Sequence, residues 1–271
     1  LPFCVYYMRD RQRSRLGRWI MAPTVIGVLV ILLRTGSRGG FVGLVGMGAL
    51  LVLVIRGRAR FLLVTAGLVG AVIMALLLPP DLMYRYQSIL DSEPGEPDEP
   101  GLVEELDPKQ VEVAVGASAM RWKLLLISLQ VTLYNPVFGV GPGNFGVAAA
   151  DITREAGERP IWQQSHNALT QISSECGVLA AAIFLALILY CMRATHRIRK
   201  SAAAAASLRG FAPLALCLFS AVTGWTICAA FSSIAYLMHL PLLAGLVVAL
   251  QSSYRDAAVE PPPPAKQPRQ W

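Results

Sequence analysis

The chain has 271 residues, of which 55% are hydrophobic and only 15% are charged, and its formal net charge is +7. Such a composition excludes an ordinary soluble domain. The basic residues stand beside apolar runs and do not form the separate basic face that nucleic-acid binding requires, so we expect no nucleic-acid partner. These features predict an all-α polytopic membrane protein.

Six apolar runs approach the roughly 17–25 residues that a membrane-spanning helix needs. They lie at about 19–33, 41–55, 61–79, 168–192, 211–230 and 235–250. The stretch 1–8 is too short to span a membrane and lacks the features of a signal peptide, so we expect a chain that begins inside a helix. The prediction is about six transmembrane helices plus an N-terminal helix remnant.

The distribution of arginine and lysine predicts the orientation of these helices. Basic residues precede the first full run, fill the hairpin at 56–60 and fill the loop at 193–209. Because such residues mark cytoplasmic loops, alternation places the loops at 34–40 and 80–167 on the periplasmic side. The 193–209 cluster is expected to set orientation against anionic lipid. The predicted divisions are transmembrane helices at 1–79, a periplasmic loop at 80–167, transmembrane helices at 168–251 and a Pro-rich cytoplasmic tail at 252–271.

The long periplasmic loop changes character along its length. Residues 91–116 are acidic and poor in apolar side chains, which predicts disorder. Residues 117–134 contain helix formers and are apolar over most of the circumference, so we expect a helix that lies against the membrane domain and ends before Pro136.

A GxGxxG pattern follows at 141–146. No strand precedes it and a proline interrupts it, so we reject a dinucleotide-binding motif. Gly141 and Gly143 are expected to form a tight turn that lets the backbone approach either protein or substrate closely.

Polar residues converge on the predicted periplasmic face. Arg34 and Arg38 lie in a loop predicted to be on the side opposite the cytoplasm, where arginine is disfavoured, and Arg121 and His166 face the same side. A side chain that extends to a lipid phosphate would account for Arg34. Arg121, taken alone, would be an ordinary arginine at the membrane interface. An anionic phosphate would need the arginines, and a reaction near neutral pH would need the imidazole. Glu175 lies deeper and on the opposite helix face, which predicts a structural or supporting role.

The five cysteines, Cys4, Cys176, Cys191, Cys217 and Cys228, all lie in apolar runs. We predict core-filling thiols and no disulfide framework. No spacing of Cys and His typical of a metal site occurs, so no metal is expected.

Four segments, taken in order, resemble the O-antigen ligase and polymerase superfamily. They are TGSRGGF at 35–41, the arginine-led helix from Arg121, NPVFGVGPGNF at 135–145 and HNALTQISSECG at 166–177. The resemblance covers about 20–250. Members are bacterial inner-membrane glycosyltransferases, usually with about a dozen helices, and we expect this sequence to contain about half of them, without the N-terminal ones.

The resemblance implies transfer of a glycan from an undecaprenyl-pyrophosphate carrier on the periplasmic face, without cofactor, nucleotide sugar or catalytic metal. The acceptor would be the lipid A core in a ligase or another carrier-linked repeat unit in a polymerase. Arg38 and Arg121 would bind the pyrophosphate, and His166 would act at the acceptor hydroxyl. Possible supporting residues are Arg34, Gly141, Gly143, Asn167 and Glu175.

Two alternatives stay open. One is a surface polysaccharide polymerase of the same superfamily, and the other is a non-catalytic polysaccharide transporter or scaffold. Within the enzyme hypothesis, direct attack would invert the anomeric centre. A double displacement would need a nucleophilic carboxylate, and nothing marks Asp151, Glu155 or Glu158 for that role.

Overall fold

The computed structural model describes residues 2–9, 14–35, 37–55, 57–77 and 108–259, and every regular element in these ranges is a helix. The α-helices are α1 (Pro2–Arg9), α2 (Arg15–Arg34), α3 (Arg38–Val54), α4 (Arg58–Leu77), α5 (Pro108–Tyr134), α6 (Phe145–Glu155), α7 (Ala168–Cys176), α8 (Val178–Ala204), α9 (Phe211–Ala229) and α10 (His239–Val259). A short 3₁₀ turn, Ala206–Leu208, joins α8 to α9. The predicted all-α fold class is confirmed.

Three helices of the described chain are long and apolar enough to cross a membrane. They contain Arg15–Leu32 in α2, Val178–Ala204 in α8 and Phe211–Ala229 in α9. The apolar part of α3, Gly39–Val54, is shorter. The count of six membrane spans therefore stays a prediction.

The helices α8, α9 and α10 share one apolar core. Its buried members are Cys191, Ala194, Ile198, Ala215, Leu218, Val222, Leu243, Val247 and Leu250. On the other side of α9, helix α3 packs closely through glycines. A Cβ on Gly43 would lie 2.4 Å from Cys228 Sγ, and one on Gly46 would lie 2.7 Å from Ile227 Cδ1. Small residues permit this close approach of apolar helices.

The loops between these helices separate into two groups at opposite ends of the bundle. At one end Arg199 donates from Nη1 to the carbonyl of Val54 at 3.4 Å, which joins the basic 193–209 segment to the 55–58 hairpin. At the other end a Cβ on Gly39 would lie 2.9 Å from Phe231 Cβ, so the start of α3 meets the turn that follows α9. Each of these two pairs of segments, predicted to lie on the same side of the membrane, therefore lies at the same end of the bundle, while the orientation in a membrane stays a prediction.

Helices α5, α6 and α7 form a second packed unit. The side chains of Leu124, Ile127, Val131, Phe145 and Ala149 are its buried core. Thr132 of α5 and Ser173 of α7 share a buried hydrogen bond of 2.9 Å. The sequence predicted a helix, a disordered segment and a glycine turn in this region.

The expected helix at 117–134 is present, but α5 begins earlier than expected. It starts at Pro108, so residues 108–116, which we predicted to be disordered, are helical. Proline suits a first helical position because the amide it lacks would have no partner there. The rest of the predicted disordered segment, 91–107, lies outside the described residues.

The apolar run predicted as one helix at 168–192 is divided by a break at Gly177. This glycine has φ +89, and helices α7 and α8 lie on either side of it. The turn at 136–143 fills the break. The amides of Val140 and Gly141 donate to the carbonyls of Ser174 and Glu175, each at 2.9 Å, and Val178 donates to the carbonyl of Pro136 at 2.8 Å. The carbonyls at the end of α7 are thereby satisfied.

All five cysteines are free thiols; Cys191 and Cys217 are buried, whereas Cys4, Cys176 and Cys228, which we also predicted to fill the core, are partly exposed. Of the predicted Pro-rich tail, the first part continues α10 as far as Val259. Residues 260–271 lie outside the described structure.

Replacing Gly177 by alanine is expected to destabilise the protein strongly. A Cβ there would lie 2.1 Å from the carbonyl oxygen of Val137, and the backbone conformation of Gly177, φ 89 and ψ 172, is essentially restricted to glycine and costs an L-residue about 1–3 kcal/mol. We expect the apparent Tm of the detergent-solubilised protein to fall by several degrees. Gly245→Ala is the matched control, because Gly245 is helical with open space around it. Equal Tm values for the two variants would contradict the conclusion that the 136–143 turn fills the helix break at Gly177.

Candidate functional site

His166 lies at the end of the loop between α6 and α7, in a constrained backbone conformation. Its φ is +54, the one positive value on a non-glycine residue in the described chain. Its amide donates to Ser233 Oγ at 2.8 Å, which ties it to the turn after α9. Such a conformation persists only where its surroundings hold it, and it is commoner at functional sites than elsewhere.

Asn167 fixes the residue next to the histidine. Its side-chain oxygen accepts from the amides of Leu169 and Thr170, at 2.9 and 3.1 Å, and so caps α7. Its side-chain nitrogen donates to the carbonyl of Ala230 at 3.1 Å. One side chain therefore both starts α7 and holds it to the turn after α9, while the supporting role in the site stays a prediction.

A further bond fixes α7 to the same turn. The buried Gln171 accepts on Oε1 from the amide of Ala235 at 3.3 Å. Together with the bonds of His166 and Asn167, it holds the 230–235 turn against the start of α7. Phe231 of that turn also meets Gly39 in α3.

Arg38 is the first residue of α3 and precedes this contact directly. Helix α3 begins there because Ser37 caps it, its Oγ accepting from the amide of Gly40 at 3.2 Å. The backbone of Arg38 is therefore placed at the end of the bundle where His166 lies. The side chain of Arg38 lies outside the described part of the structure.

Arg121 lies on α5, close enough to His166 to act on its charge. Helices α5 and α7 meet through Thr132 and Ser173. Arg121 lies at the middle of α5, and His166 lies two residues before α7 begins. Partial burial, and then the positive charge of Arg121, lower the pKa of His166 below its ordinary value. Both effects favour the neutral imidazole, which is the form able to accept a proton.

Two of the three acidic residues considered as nucleophiles are engaged in ion pairs. Asp151 accepts from Arg154 at 2.9 Å within α6, and Glu158 pairs with Lys123 of α5. The third, Glu155, is exposed at the end of α6. The Lys123–Glu158 pair also joins α5 to the loop that leads to His166.

Glu175 is fully buried and serves the glycine turn. Its carboxylate accepts from the amides of Gly143 at 2.9 Å and Phe145 at 3.3 Å, and from the hydroxyl of Tyr236 at 2.5 Å. It thus occupies the N-terminus of α6, where open amides and the helix dipole favour an anion.

The structure divides the predicted site residues into two sets. Arg121, His166 and Asn167 come together with the backbone of Arg38 near the 230–235 turn. Gly141 and Gly143, with φ values of +95 and +81, form the predicted tight turn, and what they approach is protein, namely the end of α7 that carries Glu175. Arg34 is exposed at the end of α2 and forms no hydrogen bond or ion pair with a described residue.

Sequence reasoning missed the residues that hold this site. Ser233, Gln171 and Tyr236 act through hydrogen bonds to residues more than sixty positions away. The sequence signal was the position of Ser233 in the short segment between the apolar runs at 211–230 and 235–250, and it does not specify a partner.

Comparison with known proteins identifies one family. A family model described as O-antigen ligase matches residues 23–185, which is more than half of the chain. The matched range contains Arg38, Arg121 and His166. A comparison with curated proteins found no match.

Tyr236→Phe should reduce stability more than Tyr190→Phe. Tyr236 donates to a buried carboxylate, a bond of about 1.5–3 kcal/mol, whereas Tyr190 donates to the amide oxygen of Gln251 on the exposed surface, a bond of about 0.5–1.5 kcal/mol. Apparent Tm values of the two purified variants measure the difference. A loss at Tyr190 that equals or exceeds the loss at Tyr236 would contradict the role given to Glu175.

Proposed function

The chain belongs to the O-antigen ligase family, whose members are membrane enzymes of the ligase and glycosyltransferase type, and from this premise we propose a specific reaction. It transfers a glycan from undecaprenyl pyrophosphate to a hydroxyl of an acceptor such as the lipid A core. The reaction takes place at the end of the bundle that carries His166, which we propose faces the periplasm of a bacterial inner membrane.

The observation that carries the proposal is the placement of His166, which is held at positive φ by Ser233 of the 230–235 turn, at the end of the bundle where α3 begins with Arg38 and within reach of the Arg121 charge. Positive charge and a neutral imidazole within one partly buried site are what this reaction requires. The acceptor oxygen forms a bond to the anomeric carbon while the bond from that carbon to the phosphate oxygen breaks. His166 takes the hydroxyl proton, and the carrier pyrophosphate leaves with the electron pair.

Arginine suits the leaving group for two reasons. Its planar guanidinium can bind phosphate oxygens in a bidentate manner, and its charge is retained at any pH of interest. Negative charge develops on the pyrophosphate in the transition state, so a fixed guanidinium lowers the barrier more than it stabilises the bound donor. We assign this role to Arg121, together with Arg38 at the start of α3.

We further propose a single displacement with inversion at the anomeric carbon. Support for this step comes from the candidate carboxylates: Asp151 and Glu158 are engaged in ion pairs with Arg154 and Lys123, Glu155 is exposed at the end of α6, and none of the three forms a hydrogen bond or ion pair with His166 or Arg121 in the described chain. The product of a donor with known anomeric configuration can be analysed by NMR. Inversion is expected, and a product that retains the configuration would exclude the single displacement.

The same site would serve the alternative, a polysaccharide polymerase whose acceptor is another carrier-linked repeat unit. The two activities differ only in the acceptor, which an assay distinguishes by supplying either a lipid A core or a second carrier-linked glycan. A transporter or scaffold would show turnover with neither acceptor.

His166→Gln, Arg121→Gln and Arg38→Gln should each abolish most glycan transfer. General-base catalysis contributes about 10²–10⁴-fold, and a lost transition-state contact typically costs about 10²–10³-fold. The assay uses purified full-length protein, a carrier-linked glycan donor and each acceptor in turn, with variants at equal concentration.

His239→Gln is the matched control for the histidine. His239 is exposed at the start of α10, beyond the same turn, and its removal should leave the rate within about twofold of the starting protein. Full activity of the His166 variant, or equal losses in both histidine variants, would overturn the proposed site.

A further inference from the structure

A cleft of about 540 Å³ opens between α8 and α10, at the end of the bundle away from His166. Arg193 and Arg197 line it from α8, and Arg255 lines it from α10. All three side chains are exposed to solvent, and no acidic residue lines the cleft. The cleft therefore presents three positive charges without an opposite charge of its own.

The repulsion among these three positive charges is unfavourable. Arg193 and Arg197 are one helical turn apart, and like charges at this spacing destabilise a helix. Arg255 adds a third from the neighbouring helix. Within the described chain none of the three forms an ion pair or a hydrogen bond, and Asp256, the residue after Arg255, does not line the cleft. A bound anion would remove the repulsion.

The polarity of the lining changes along the cleft. Ala186 and Leu189 line its part nearer the middle of α8, whereas Arg197 and Ser201 line its part nearer the helix end. At about 1.5 Å per residue, the distance from Ala186 to Ser201 is about 22 Å. An apolar channel that opens into a basic mouth matches a molecule with a hydrocarbon chain and an anionic head.

The walls of the cleft are fixed by contacts of their own. Tyr190 of α8 donates to Gln251 of α10 at 2.5 Å and so joins the two helices. The ring of Tyr254 packs edge-on against Phe211, with ring centres 5.7 Å apart. The cleft is therefore preformed, which reduces the entropy lost on binding.

We propose that this cleft binds one anionic phospholipid of the surrounding membrane. The phosphodiester lies between Arg193, Arg197 and Arg255, and an acyl chain runs along Ala186 and Leu189. Guanidinium groups suit phosphate oxygens, and basic pockets between membrane helices are a known place for anionic headgroups. Free phosphate would use the basic mouth alone and would leave the apolar part of the cleft uncovered.

The test titrates dihexanoyl phosphatidylglycerol into the full-length protein in detergent and follows the apparent Tm. A saturable rise is expected with this lipid, and none with dihexanoyl phosphatidylcholine or inorganic phosphate at equal concentration. The triple variant Arg193→Gln, Arg197→Gln, Arg255→Gln should need at least about tenfold more phosphatidylglycerol for the same rise.

Two further variants separate the cleft from general charge. Arg58→Gln, Arg60→Gln, Arg209→Gln removes the same charge from exposed positions that do not line the cleft, and it should behave like the starting protein. Ala186→Trp fills the apolar part without changing charge and should also weaken the response to phosphatidylglycerol. The proposal is overturned if phosphatidylcholine or inorganic phosphate gives an equal rise, or if the cleft triple variant keeps the original response.

Discussion

The positions of the site residues depend on one contact, the insertion of the 136–143 turn into the helix break at Gly177. Backbone bonds from Val140, Gly141 and Val178 satisfy carbonyls and amides that the break would otherwise leave open. Buried Glu175 then binds the amides at the start of α6. This single interlock sets the angles of α5, α6 and α7 relative to α8, because all four helices begin or end beside it.

The catalytic proposal follows from that arrangement. Helix α5 packs against α7, which places Arg121 where its charge acts on His166. Asn167 and the amide of His166 then bind the 230–235 turn, whose Phe231 meets the start of α3 just after Arg38. Four separate segments of the chain thus contribute to one end of the bundle. The opposite end carries the basic cleft, so the two proposed anion sites lie at different ends.

Much of this could be predicted from the sequence, because local signals were strong. Apolar runs and arginine-rich loops indicated a helical membrane protein, and the positive φ values of Gly141 and Gly143 agree with the expected tight turn. The break at Gly177 was missed because an isolated glycine inside an apolar run also occurs in continuous helices. The contacts of Ser233, Gln171 and Tyr236 could not be predicted, because they are hydrogen bonds between residues far apart in the chain and such bonds produce no periodic pattern in the sequence.

The most direct test of the account measures kcat/KM for the donor as a function of pH in the starting protein and in Arg121→Gln. The charge of Arg121 lowers the pKa of His166, so the neutral base persists to lower pH in the starting protein, and activity is lost as pH falls through that pKa. Removing the charge raises the pKa toward its ordinary value, and the acid limb should move to higher pH, on top of the lower rate. Arg154→Gln removes an equal charge from an exposed residue of α6, and its acid limb should lie at the same pH as in the starting protein. An acid limb at the same pH in Arg121→Gln and the starting protein would contradict the claim that Arg121 and His166 form one site.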